Sequence, residues 1–583
     1  MTLYTIDFET MPIVNGSALA PAPVGVAIKK NDEPSIYTPI SEESYSQLKG
    51  IMADRESLLL FHNAKFDLRV MVDHLHIPLP EPTQVLDTMI MAYLIDPREP
   101  SLGLKELAHK YCGIPPDEQT ELRAWLKARH LSEADIALAP FEMVKRYAEK
   151  DTDITYALYN YLAPFFDVPD DGKQDIQTAY DREMRLLPIC IEMEKSGVGI
   201  SPNVTTIYQE LQDRFDIIDE ELSLITEGAK PGSKAMFNVL RDKGYIDESK
   251  VQYTDKGNAR YGREFLETYI EDKEVLTMLT DRSRLSKLIG TYLKPFAEAY
   301  EHNNGRFYPY YNQTRSDSDY GTRTGRFSSN LQQLPKKPAE GMPSIRSMIV
   351  AKNGHILLRR DFSSQEIRVA AHYAEGSLLQ AYKDNPNLDV HTFIKEMILG
   401  IVGLDIPRDV VKTIVFMKFY GGGAAKLAGM LNISFALATQ FFEAFDTALP
   451  EIKGLMRTVE SHSRSGNKIR TWGGRPYDVE VLDDGREMYY KLGNVLIQGS
   501  SADMTKEAMI RYHYHPDRKG RIFMQIHDEL ICEVEDAYFI REMELLRYSM
   551  DNIPGWDVPL LSEGQIGKDL GNMEKYDDTS YYY

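Results

Sequence analysis

Cysteine is scarce in this 583-residue chain: Cys112, Cys190 and Cys532 stand far apart and form no Cys-x-x-Cys pair. Neither a disulfide framework nor a zinc site is implied. No run of eighteen apolar residues occurs, so no membrane-spanning helix is expected. The start, MTLYTIDFET, lacks the basic region and following apolar stretch of a signal peptide. A reducing cytoplasm is the expected compartment. Internal repeats are absent, and low complexity is confined to a Tyr-rich end that is expected to fray.

What is present is ordinary for a folded chain, with 43% hydrophobic and 27% charged residues. The length exceeds what one hydrophobic core serves, so several domains are expected. A net charge of −21 argues at first against a nucleic-acid partner. Distribution matters more than the sum. RSRLSKLIGTYLK (282–294) and TRTGRFSSNLQQLPKK (322–337) carry four cations each and no acid. They are either two solvated basic faces or the lining of a groove whose protein is acidic outside.

LYTIDFET reads as a buried strand, LLLFHNAKF as strand to loop, and DLRVMVDHL as the helix after it. Residues 83–160 are mostly helical in pattern, which makes 1–170 an α/β unit bounded by the Pro/Asp/Gly stretch FFDVPDDGKQD. Helical periodicity dominates 175–305, clearest in DREMRLLPICIEMEKSGVGIS, where Gly197 is a stop signal. The remainder mixes strands, HILLRRDF and RIFMQIHDELICEVE, with helices.

Asp7 and Glu9, two apart on a strand, share one face. Two acids side by side repel, and burying them is costly without a cation. FHNAKFD adds Asn63 and Asp67; RYAEKD adds Tyr147 and Asp151 on one helical face. Oxygen ligands suit Mg²⁺, or Mn²⁺ in its place. A solvated charge is the bland account of any one of these acids and a poor account of the ordered set. That set resembles the DEDD-type 3′–5′ exonucleases, in the subclass with a tyrosine. The resemblance implies that Asp7, Glu9, Asp67 and Asp151 bind metal, that Tyr147 orients the attacking water, and that Asp87 is structural.

In RDVVKTIVFMKFYGG, Arg408, Lys412, Phe416 and Tyr420 recur every four residues. On a helix that stripe drifts only about 40° per step and spans roughly 18 Å, near the reach of a nucleoside triphosphate and a base. The cations suit phosphates and the rings suit a sugar and a base. A mixed amphipathic helix is the plain alternative. Two acid-bearing strands shift the balance: HILLRRDF ends near Asp361, and QIHDELICEV sets Asp528 and Glu529 at a hairpin turn.

Acid strand, cation–aromatic helix and acid hairpin resemble motifs A, B and C of family A DNA polymerases, the group of bacterial DNA polymerase I. TGRFSSNLQQLP, YGGGAAKLAGMLNIS and NVLIQGSSADMTKEAM resemble further segments in family order. The resemblance implies an α/β multidomain protein: a ribonuclease H-like exonuclease domain, 1–170, followed by a right-hand polymerase domain. The thumb would be 175–305, the palm 306–407 with 490–583, and the fingers 408–489. It implies template-directed primer extension with proofreading. Asp361, Asp528 and the Phe362 carbonyl would hold two Mg²⁺, with Glu529 as an assisting acid. Lys412 would neutralise the triphosphate and act as general acid, Arg408 would grip its γ end, and His527 would sit near the primer terminus or phosphates. Glu366 would reject ribonucleotides, and Phe416 and Tyr420 would face sugar and base. Arg326, Arg368, Asn494 and Gln498 match DNA-contacting or hydrogen-bonding positions; Arg282, Arg284 and Lys287, with Arg323 and Lys336, would grip duplex phosphates. Affinity for DNA should then fall with salt, log K losing roughly 0.9 per neutralised phosphate.

Departures are visible. Arg360 stands where bacterial members usually have a small residue, and Ser364–Gln365 replaces their Gln-Ile. Phe416 stands where some phage relatives have tyrosine, which implies discrimination against dideoxynucleotides. The chain opens on the proofreading unit, without a 5′-nuclease, which suits a bacteriophage replicative enzyme. Implied partners are primer–template DNA and dNTPs, with helicase, primase and single-strand-binding protein as replisome candidates, no membrane, and a monomeric chain. The rival readings are a single-subunit RNA polymerase, a nuclease whose second half only holds DNA, and a non-catalytic DNA scaffold.

Overall fold

A computed structural model describes residues 1–578 apart from 15, 116, 168–174, 255–256, 315–321, 420 and 483. Tyr420, most of the stretch expected to bound the first unit and the Tyr-rich end therefore lie outside the described residues.

The first unit is built on a five-stranded sheet ordered Ile36–Pro39, Pro23–Lys30, Thr2–Thr10, Ser57–Phe61, Val85–Asp87. The central strand runs antiparallel to Pro23–Lys30 and parallel to Ser57–Phe61. Its alternation decides its chemistry. Ile6 and Phe8 enter the core with Leu59, Phe61, Leu68 and Met71, which turns Asp7 and Glu9 to the other face. There the helix Phe141–Leu162 crosses both Thr2–Thr10 and Pro23–Lys30.

The helix Ile176–Ser196 leads onward. Asp175 accepts from the Thr178 amide to cap it, and its residues Met184, Leu187 and Ile191 are buried as their spacing predicts. Gly197 ends it at φ +60°, where a Cβ would lie 2.8 Å from the Phe307 carbonyl oxygen. Two long helices, Val204–Thr226 and Lys273–Leu288, pack against each other with Arg214–Asp281 and Arg282–Asp219 ion pairs between them.

The second large sheet is antiparallel throughout, ordered Arg521–Ile526, Glu529–Glu535, His355–Phe362, Ser562–Gly567, Glu574–Lys575. Leu358, Leu530 and Cys532 bury one face of it in the main core with residues of the helices Gln365–Ala374, Leu492–His513 and Phe539–Asp551. Each such side chain contributes about 1.5–3 kcal/mol of burial. HILLRRDF and RIFMQIHDELICEVE are thus strands as read, with the hairpin turn at His527–Asp528.

The two halves are joined by polar contacts. The Tyr93 hydroxyl donates to the Thr322 carbonyl (2.5 Å) and accepts from the Gly325 amide (3.2 Å). Lys65 Nζ donates to the Tyr311 carbonyl (2.6 Å), and Arg98 Nη1 to that of Val479 (2.6 Å). Among the described residues no helix is long and apolar enough to cross a membrane.

Candidate active sites

The first acid set forms where three elements meet. The Phe8 amide, between Asp7 and Glu9, donates to Asp67 Oδ1 at 3.0 Å and so draws the helix Ala64–His74 onto the strand. Tyr147 and Asp151, four apart on Phe141–Leu162, face the same place. Burial raises Asp7 to about 6, against the opposing charge of Lys105. Burial and the charge of Asp7 push Glu9 and Asp67 well above the usual carboxylate range. Tyr37 is the neighbouring phenol: burial, with Glu9 and Asp7, pushes it up to about 12, and its ring occupies the space over Gly25, which pairs with Glu9. Asp87 caps instead, accepting from the amides of Asn63 (3.1 Å), Ala64 (2.7 Å), Met89 (2.8 Å) and Ile90 (3.3 Å).

Crowded carboxylates whose pKa values burial and mutual repulsion raise, with Glu9 Oε1 accepting no hydrogen bond, suit a hard divalent cation. They are not a finished cage: among the described residues no three acids, histidines or cysteines converge on one point as ligands. Asp151 already has a cation beside it. Its carboxylate is paired with Lys105, a residue that the sequence reading passed over. Lys105 lies on the buried stripe of Leu104–Cys112, three residues before Ala108; a cation on an apolar stripe was the signal.

The second set lies at the end of the central strand His355–Phe362. Glu529 pairs in register with Asp361, and the Phe362 amide donates to the Asp528 carbonyl (3.3 Å). Burial, then Asp528 and Glu529, raise Asp361 to about 7, with Lys336 (4.0 Å) and Arg359 (3.4 Å) opposing. Asp361 Oδ1 is buried and accepts no hydrogen bond, which again suits a divalent ion.

Glu529 differs from its expected role. It is 1% exposed, with Arg346 on one oxygen at 3.0 Å and Arg359 on the other. A carboxylate enclosed by two guanidiniums suits an anchor of the strand pair, and assisting chemistry would require it to leave one of them. Arg359 was legible: it lies two residues before Asp361, on the same strand face. His527 sits at φ +53° in the turn, exposed, its amide donating to Gln332 Oε1 (3.0 Å). Arg326, Gln332, Gln525 and His527 line one recess.

The helix Arg408–Phe419 holds its stripe. Arg408, Lys412 and Phe416 are exposed while Val411, Ile414 and Val415 are buried. Arg408 makes a two-pronged contact with Asp389 (2.9 and 2.9 Å), so its phosphate role requires exchange of that partner. His391, on Val390–Val402, is a neighbour of the stripe that the sequence reading missed: burial, then the charges of Arg408 and Lys412, lower its pKa.

Other expected contacts are redistributed. Arg368 is 2% exposed and donates to the carbonyls of Ser363 (2.8 Å), Pro559 (2.6 Å) and Pro386 (2.7 Å), with its guanidinium over Tyr382. In this arrangement it ties together the loops around the helix Gln365–Ala374. Arg282 is paired with Asp219 and lies over Phe215, so a phosphate would have to replace that partner, while Arg284 and Lys287 are exposed. Arg323 pairs with Glu480 (2.9 Å), and Arg326 with Glu366. Asn494 and Gln498, four apart on Leu492–His513, are half-buried. Gln365 Nε2 donates to Thr505 Oγ1 (3.0 Å) and the Ser501 carbonyl (3.2 Å), which explains the glutamine there.

Comparison with known proteins assigns each part of the chain to a family. Residues 202–572 match the family model for DNA polymerase family A, and residues 4–166 that for a 3′–5′ exonuclease. DNA polymerase I of Treponema pallidum is 28% identical over 90% of this chain and 52% of its own length. That of Pseudomonas aeruginosa is 26% identical over 97% and 63%. The chain thus spans between half and two thirds of those bacterial relatives. DNA polymerase DpoZ of Acinetobacter phage SH-Ab 15497 is 25% identical over 90% of this chain and 91% of its own. In fold, the chain is similar to the polymerase domain of Pol1 from M. smegmatis, solved with DNA primer–template and dNTP: TM-score 0.77, 22% identity, 98% and 96% covered. A 3′–5′ exonuclease domain followed by a polymerase part, this chain belongs to DNA polymerase family A.

Proposed function

We propose that the protein extends a DNA primer along a template with dNTPs and trims mispaired 3′ ends at a second site. The observation that carries this reading is the pair of separate carboxylate sets. One is Asp361 and Asp528 at the tip of the central strand; the other is Asp7, Glu9, Asp67 and Asp151 in the first unit. Residues 1–170 would be the exonuclease, 175–305 the thumb, 306–407 with 490–583 the palm, and 408–489 the fingers.

Asp361, Asp528 and the Phe362 carbonyl would hold Mg²⁺ at one site, and the four acids would hold it at the other. When bound, such ions lower the pKa of the attacking hydroxyl or water and stabilise the leaving oxygen. The chain's own residues do the rest. Lys412 meets the triphosphate and protonates the departing pyrophosphate, with His391 beside it. The Phe416 ring packs against the sugar, and Tyr420 stacks where the base enters. Arg326 holds Glu366 in the first turn of its helix, where its bulk opposes a 2′-hydroxyl. Arg284, Lys287 and Lys336, exposed, bind duplex phosphates without reading sequence. Tyr147 orients the water at the second site. The phage relative of matching length supports a role in phage DNA replication.

Primer extension with Mg²⁺ and each dNTP tests the assignment. Asp361→Ala should abolish synthesis and still degrade 3′ ends; Asp7→Ala should synthesise and leave mispaired ends untrimmed. Loss of both activities in either variant overturns the division, and preferential use of rNTPs would establish an RNA polymerase instead.

A further inference from the structure

The first acid set contains one cation that its chemistry has not yet used. Lys105 is 7% exposed, in the middle of Leu104–Cys112, a helix packed against Phe141–Leu162. Its ammonium is paired with Asp151 and stands 4.9 Å from the centre of the Tyr147 ring. It is also the opposing charge on Asp7 and Glu9, from across the site. A lysine loses side-chain entropy and hydration when it is buried, so an apolar residue would pack that stripe more favourably. The site has a use for the charge. Four carboxylates carry −4, and two divalent ions would bring that to zero; a DNA phosphodiester then arrives with −1 and gains negative charge as water attacks. Lys105 supplies a fixed positive charge to meet it.

Resting on the exonuclease reading above, we propose that Lys105 is a positioning residue of that site. It steadies the Tyr147 ring and compensates the charge of the scissile phosphate. In the metal-free protein it is the stand-in cation on Asp151, so ion binding displaces it from that carboxylate toward the DNA. Metal and Lys105 therefore compete for Asp151, and cooperate once DNA is present.

The competition gives the proposal a signature that simple packing lacks. In the full chain, Lys105→Met should lower the exonuclease rate constant on single-stranded 3′ ends by about 10²-fold, the effect of removing one preorganised electrostatic group. Lys105→Arg, which keeps the charge, should recover most of it. Primer extension by the same molecules should be unchanged, which shows that they are folded. Mn²⁺ titration by electron paramagnetic resonance, which needs no turnover, should show Lys105→Met binding the ion roughly threefold or more tightly than wild type. Exonuclease activity within about twofold of wild type, or weaker Mn²⁺ binding, would overturn the role of Lys105. If the wild type itself cleaves no 3′ ends, the exonuclease reading fails, and the titration still decides whether Lys105 competes with the ion.

Discussion

Glu529 lies directly opposite Asp361 across two antiparallel strands, yet the two carboxyls live in different chemical worlds. Arg346 and Arg359 enclose Glu529, whereas Asp361 keeps an oxygen without a hydrogen bond and is raised to about 7 by burial and its acidic neighbours. Neutralising each should therefore have opposite consequences. Glu529→Gln leaves the buried Arg346 without its carboxylate and takes one of the two acids from Arg359, and should cost about 3–5 kcal/mol of stability. Asp361→Asn should abolish primer extension while leaving the melting temperature unchanged or higher. Denaturant and thermal melts of the two variants, beside extension assays, check this; equal destabilisation would show that Glu529 is not the anchor.

A second anchor links the leading helix to the polymerase half. Glu183 takes Lys506 at 2.6 Å, Gln313 Nε2 at 2.7 Å and the Arg475 guanidinium, all buried. Burial opposes its ionisation, but Lys506 and Arg475 together hold Glu183 down at about 2. With a folded pKa below the ordinary 4.5, its contribution is complete above about pH 4.5 and is lost as the pH falls toward 2. Glu183→Gln should lose about 3–5 kcal/mol near neutrality. It should also show a flatter loss of stability between pH 4.5 and 2 than wild type, as read from melts across that range.

Arg360, the unusual neighbour of Asp361, has its own chamber. It is fully buried, donating to Ser562 Oγ (2.9 Å), the Ser562 carbonyl (2.6 Å) and both oxygens of Asp578 (2.8 and 2.9 Å). Gly564 makes the room: a Cβ there would lie 3.0 Å from Arg360 Nη1 and 3.2 Å from Tyr576 Cβ. Gly564→Val should cost about 1–3 kcal/mol by overpacking, and much of that should be recovered when Arg360 is shortened to alanine as well. A double-mutant cycle of melting free energies measures the coupling. Additive losses would mean that the glycine serves something else.

Phe416 presents its ring to solvent from the helix face that carries Lys412. Without a phenolic hydroxyl, that ring offers no polar group to an incoming sugar. Phe416→Tyr should raise the ratio of dideoxynucleotide to deoxynucleotide incorporation severalfold, on the order of a hydrogen bond's 0.5–1.5 kcal/mol. Termination assays over a range of ddNTP to dNTP ratios test it; an unchanged ratio means the ring does not face the sugar.

Much of this was legible before any fold was known. Strand alternation set Asp7 and Glu9 on one face, and helix spacing set Tyr147 with Asp151 and Lys412 with Phe416. Those relations are local, because each depends only on the repeat of one element. Arg368 and Glu529 went the other way: their residue types suited DNA and chemistry, but three carbonyls, two of them from other segments, and two arginines from distant segments hold them in this structure. Lys105 and His391 were missed for the same reason, since their importance lies in which charges they meet.

The order of residues alone determined the elements, the two ordered acid sets and the family, because periodicity and motif spacing are properties of neighbours along the chain. Which charges are free and which are already matched was decided only in three dimensions. An ion pair between Lys105 and Asp151, or between Arg360 and Asp578, joins residues whose separation along the chain carries no record of their contact. Burial then sets what each such pair is worth, by removing the water that would otherwise screen it.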